Sequence, residues 1–169
     1  MELRDLILRF SDSRENQCKA IFSTLFIAGN RLQTVFDKNV PEISLKQFML
    51  LTMVRQSKEQ LTFTQLGKLL GCSRQNIKKL ARTLEKKGFV TVISSAADVR
   101  AHNICPTEKL DTYFEKVFIS YQRDLHDLFD VYTEEEIKQF FLLLMKLYEG
   151  IENLERNQRD GKEKDTGAL

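Results

Sequence analysis

The residues best suited to chemistry in this chain are clustered between Ser73 and Lys87. Arg74, Gln75 and Asn76 offer guanidinium and amide groups, which form the paired hydrogen bonds that base edges in a DNA major groove accept. Lys78, Lys79 and Arg82 follow at spacings that bring them to the same side of a helix, with Lys86 and Lys87 at its end and only Glu85 opposing them. Cations so placed neutralise phosphates. A solvated basic helix face would have the same composition, so the charges alone do not choose between the two readings.

The segment that must position them does choose. Ser73 is an N-cap residue for a helix closed by Gly88, and a shorter helix from Gln65 to Leu70 precedes it, with Thr64 as its expected cap and Gly71 as its stop. Gly67 is small where two such helices would cross, and Leu66, Leu70, Ile77 and Leu80 are spaced to pack them together. Two short helices joined by a tight turn form a helix-turn-helix. Thr64 is therefore grouped with Ser73, Arg74, Gln75, Asn76, Lys78, Lys79 and Arg82 as the DNA-facing set. After Gly88, Phe89 to Ile93 is β-branched and aromatic, Ser94 to Arg100 is polar, and Asn103 to Cys105 returns as a second strand. The hairpin carries Arg100, whose guanidinium suits the negative potential of a minor groove. Asp98 can orient it or be an ordinary loop acid.

Further out, the elements are helical. Residues 13–38 place Cys18, Ile21, Phe22, Leu25, Phe26, Leu32, Val35 and Phe36 at threes and fours, with Ser13 as cap and Pro41 as stop. Leu3, Leu6, Ile7 and Phe10 make a shorter stripe that needs a partner surface. A helix from Ser44 carries Leu45, Phe48, Met49 and Met53 and stops near Gln56, and Leu61 to Phe63 reads as a very short strand. A helix from about Thr107 to Phe129 has a wide apolar face. The last helix opens with a capping box of Thr133 and Glu136 and runs to about Leu154. Beyond Glu155 a flexible charged tail, 156–169, is expected.

The totals bound the rest. The 169 residues are 42% hydrophobic, enough for one domain, and 7 Gly and 2 Pro favour a mainly α fold of about six helices with a small hairpin wing. With 26 basic against 24 acidic residues the net charge is +2, so any nucleic-acid signal is local rather than global. MELRDLILRF does not follow the plan of a signal peptide, and no apolar run reaches membrane-spanning length, so a cytoplasmic location is expected. Cys18, Cys72 and Cys105 have no metal-ligand spacing, no cofactor is implied, and no nucleophile-base pairing suggests an enzyme.

Leu80-Ala81-Arg82-Thr83-Leu84-Glu85-Lys86-Lys87-Gly88-Phe89-Val90 and Asp98-Val99-Arg100-Ala101 resemble the recognition-helix exit and wing motif of the MarR family of transcription regulators. The resemblance extends from about Cys18 to Leu154. It implies a winged helix-turn-helix homodimer on double-stranded DNA, with a lobe at about 44–106 and dimerisation helices at about 1–38 and 107–155. It further implies a repressor released when a small phenolic or apolar effector enters a cleft. Phe22, Phe26, Phe48 and Phe114 are candidates to line that cleft, although core packing is the more ordinary role for each. Peroxide-sensing members carry a reactive cysteine near Cys18, but surround it with tyrosines where this chain has Phe22 and Leu32. The alternatives are a winged-helix dimerisation or interaction module without DNA affinity, and a thiol-based redox-sensing regulator acting through Cys18.

Overall fold

A computed structural model describes residues 3–9, 12–94 and 102–166, with side chains for 5, 7–9, 12–94 and 102–160. Asp98 and Arg100 lie outside the described residues. The elements run α1 (Leu3–Leu8), α2 (Arg14–Asn39), α3 (Leu45–Gln56), β1 (Leu61–Thr62), α4 (Phe63–Leu69), α5 (Arg74–Lys86), β2 (Val90–Ser94), β3 (His102–Pro106), α6 (Glu108–Phe129) and α7 (Glu134–Thr166). The chain divides into two compact units, Met1–Val117 and Phe118–Leu169, and the division falls within α6.

In the first unit the helix starts follow from their caps. Ser13, Ser44 and Ser73 each accept the N3 backbone N–H of the helix they open, and at Ser44 the Gln47 side chain returns the bond to the cap's own N–H. The three strands form an antiparallel sheet in the order β1-β3-β2, with Leu61 and Val92 both opposite Ile104. Leu50, Leu51, Leu66, Ile77, Leu84, Ile104 and Leu110 are essentially solvent-free and form the lobe's core. Phe36, Phe48 and Phe114 extend it as a column, their centroids 4.9 and 5.3 Å apart, and Arg55 covers the Phe114 ring at 5.0 Å while reaching Asp111 at 3.1 Å.

Three expectations are corrected. The cap of α4 is Thr62, not Thr64: Thr62 accepts from the Gln65 N–H and Gln65 Oε1 accepts from the Thr62 N–H at 2.8 Å. This capping box starts the helix at Phe63, so the short strand ends one residue sooner than expected. On α3 the buried apolar face is Phe48, Leu50, Leu51 and Val54, while Met49 is exposed, because the helix packs against α2, α5 and β3.

The third correction lies in the second unit, where α7 runs on to Thr166 instead of giving way to a tail after Glu155. Arg, Gln, Lys and Glu, all good helix formers, supply much of that stretch, and Glu155 meets Arg159 one turn on at 3.6 Å. At the start of α7 the expected capping box is present. Glu136 accepts the Thr133 backbone N–H at 2.9 Å, and this bond holds its carboxyl below the usual glutamate range.

Candidate nucleic-acid interface

Gly67 and Gly71 set the angle between α4 and α5. A Cβ on Gly67 would lie 2.7 Å from the Cys72 carbonyl oxygen, so a methyl group has no room where the chain doubles back. Gly71 adopts φ +62°, and the Cys72 and Gly71 N–H groups donate to the carbonyls of Gly67 and Lys68. This is a Schellman stop with glycine at the left-handed position. The same arrangement recurs at the end of α5, where Gly88 has φ +76° and Phe89 and Gly88 donate to Leu84 and Glu85. A short helix is thus stopped, turned and followed by a longer helix of fixed direction.

The core side of α5 carries Ile77, Ala81 and Leu84, all at 0% exposure, and Leu70 and Leu80 are half-buried. Exposed on the rest of α5 are Gln75, Lys78, Lys79, Arg82 and Lys86, with Arg74 exposed in its first turn, Asn76 half-buried and Ser73 exposed at the cap. Among the described residues no carboxylate pairs with Lys78, Lys79 or Arg82, whose charges therefore face solvent. Of the expected set, Ser73, Arg74, Gln75, Asn76, Lys78, Lys79 and Arg82 all lie on α5 or at its cap, and Thr64 is exposed within α4.

Lys87 is turned away from this face. Its Nζ donates to the Glu42 carbonyl, and its own carbonyl accepts from Lys109 Nζ at 2.6 Å. Lys109 also sits over the Phe89 ring at 5.0 Å. Thr107 Oγ1 donates to Gly88 O at 2.7 Å, so the exit of α5 is tied to the start of α6. Nearby, the Tyr113 hydroxyl is buried and has no hydrogen-bond partner among the described residues. Burial, with the charge of Glu42 as a smaller cause, pushes its pKa up to about 12.

At the wing's base His102 is exposed with its ring stacked on Phe63, centroids 5.7 Å apart. Asn103 Nδ2 donates to Gln60 Oε1 at 3.3 Å, which joins the returning strand to the segment ahead of β1. By sequence Glu85 is only a charge opposing the cations. In the structure Glu85 Oε1 accepts the Val92 backbone N–H at 2.9 Å. An acid in a helix's last turn, shortly before a strand, is the signal that could have pointed to this bond.

The four phenylalanines expected to line a cleft are not brought together. Phe48 and Phe114 stack in the core, at 4% and 7% exposure, whereas Phe22 and Phe26 pack edge to face with each other on α2 at 64% and 62%. Cys18 is exposed, and the neighbouring Lys19 is paired with Glu15 at 2.6 Å.

A tight helix-turn-helix, a basic outer face on its second helix and an adjoining antiparallel strand pair define a winged helix-turn-helix protein. Residues 43–102, which hold the helix-turn-helix and the wing's first strand, match the MarR family. The transcriptional repressor MprA of Escherichia coli K12 is 27% identical over 108 residues, which cover 64% of this chain and 61% of the repressor. The S. aureus MepR-DNA complex superposes with a TM-score of 0.68 at 22% identity, covering 77% of this chain and 97% of that one. Sco3205, a MarR family transcriptional regulator from Streptomyces coelicolor solved in complex with DNA, gives 0.72 at 19% identity, over 82% and 92%. At these identities the solved structures establish the shared fold.

Proposed function

We propose that the chain is a transcription regulator that binds duplex DNA as a homodimer and acts as a repressor. The observation that carries this reading is the outer face of α5, a continuous run of amide and cationic groups held by the Gly67 and Gly71 turn, on which Lys78, Lys79 and Arg82 meet no carboxylate among the described residues. A single helix fits the major groove. Ser73, Arg74, Gln75 and Asn76 enter first and read base edges, Lys78, Lys79 and Arg82 hold phosphates, and Thr64 lies at the neighbouring backbone. Arg100, oriented by Asp98, takes the minor groove beside the wing. MepR and Sco3205, whose folds are similar, were solved on DNA, which supports this assignment.

The dimer is supported by apolar surface that each unit exposes. Ile21, Phe22, Leu25 and Phe26 are open on α2, and Phe141, Leu143, Tyr148 and Leu154 are open on α7. Exposed apolar area on this scale marks an interface. Release by a small apolar effector meeting Phe22 and Phe26 completes the reading, with the buried Phe48 and Phe114 reached only if the core yields. Light scattering together with fluorescence anisotropy on mixed duplex DNA at about 50 and 200 mM salt tests it. A dimer whose affinity falls by orders of magnitude over that range is expected, and a dimer indifferent to DNA would favour the interaction module instead.

A further inference from the structure

Glu85 stands at odds with the surface that carries it. An acid in the last turn of a phosphate-facing helix repels the ligand, and at a helix C-terminus it also opposes the macrodipole. Both effects disfavour glutamate there, yet its carboxylate makes a definite contact, in which Oε1 accepts the Val92 backbone N–H at 2.9 Å. Val92 lies in β2, an outer strand of the sheet order β1-β3-β2, opposite Ile104 of β3. A backbone N–H on the open side of such a strand has no ladder partner of its own. The helix exit is otherwise fixed by backbone bonds from Gly88 and Phe89 and by Thr107, all of which act before β2 begins. Of the bonds described, the Glu85 bond is the one that passes from the side of α5 to the body of the wing's first strand.

We propose that Glu85 is a positioning residue that locks β2, the wing's first strand, to the recognition helix. The inference rests on the DNA-binding reading above. It reverses the effect that charge alone predicts: removing this acid weakens DNA binding unless a hydrogen-bond acceptor is kept. Gln and Ala both favour helices, so E85Q and E85A differ mainly in retaining the acceptor.

The experiment measures duplex affinity of the full-length wild type, E85Q and E85A by anisotropy at one salt concentration, with hydrogen exchange of the Val92 amide followed in the free proteins. E85A is expected to bind about threefold to tenfold more weakly than E85Q, the size of one net hydrogen bond. Val92 exchange should quicken in E85A and stay near the wild-type rate in E85Q. Equal affinities for E85A and E85Q, both tighter than wild type, would show that Glu85 is only a charge and overturn the proposal. A wild type that does not bind duplex DNA would overturn the DNA reading and this role with it, while Val92 exchange would still report whether the contact forms.

Discussion

Replacing Gly67 with Ala tests whether steric contact in the turn, rather than helix propensity, governs this lobe. In an open helix the change stabilises by about 1 kcal/mol. Here the new Cβ would lie 2.7 Å from the Cys72 carbonyl oxygen, about 0.7 Å inside the 3.4 Å at which ordinary contact begins. The obstructing atom is backbone, held by the bonds from Cys72 and Gly71 to Gly67 and Lys68, so it cannot swing aside as a side-chain tip would. Overpacking of this kind costs roughly 1–3 kcal/mol. A backbone overlap closer than 3.0 Å belongs in the upper half of that range, about 2–3 kcal/mol, so with the propensity gain subtracted a net loss of about 1–2 kcal/mol remains, which lowers the Tm by roughly 2–8 °C for a chain of this size. Thermal unfolding followed by circular dichroism at fixed protein concentration measures it, and anisotropy below the transition should show weakened DNA binding as α5 tilts. A Tm that is unchanged or raised, with full DNA affinity, would refute the reasoning, because propensity would then have won.

Lys79→Ala should weaken binding to all duplex sequences alike and reduce the slope of log affinity against log salt by about 0.9, and a change confined to base preference would contradict its phosphate role. Arg100→Ala should weaken DNA binding while light scattering still shows the dimer. Tyr113→Phe removes a buried hydroxyl that has no partner among the described residues, so chemical denaturation should show stability unchanged or raised by about 1 kcal/mol. Because the folded phenol has its pKa raised to about 12, the wild type should lose stability as pH climbs above 10, and the Phe variant should lose less. Glu136 has the opposite sign: its folded pKa is lowered, so its contribution is present above the ordinary glutamate value and fades as pH falls through the lowered one. An NMR titration should find that low value and its return to normal when Pro replaces Thr133 and the backbone N–H is lost.

The recognition element can be read from the sequence because its determinants are local. Ser73, Gly71 and Gly88 each act on the backbone within a few residues, and their positions fix the start and stop of α5. Thr62 escapes such a reading although Gln65 stands three residues on, because Leu61 to Phe63 also has strand character and the two signals overlap. The burial of α3 escapes it for a different reason. Periodicity tells which residues share a face, whereas the exposure of Met49 and burial of Leu50 depend on α2, α5 and β3, which are distant in sequence. The phenylalanines show the same limit: Phe22 and Phe48 look alike in sequence, yet one is 64% exposed and the other 4%. The Glu85 bond to Val92 joins residues seven apart across a change of element, where no repeat pattern reaches.

Selection of bound sequences from a random duplex pool, repeated with Gln75→Ala and Asn76→Ala variants, tests most directly the claim that the outer face of α5 reads DNA. The account predicts an inverted repeat whose half-sites are about one helical turn apart, roughly 10 base pairs, with preference relaxed at particular positions in each variant. No enriched sequence, or an enriched sequence that both variants select unchanged, would contradict it.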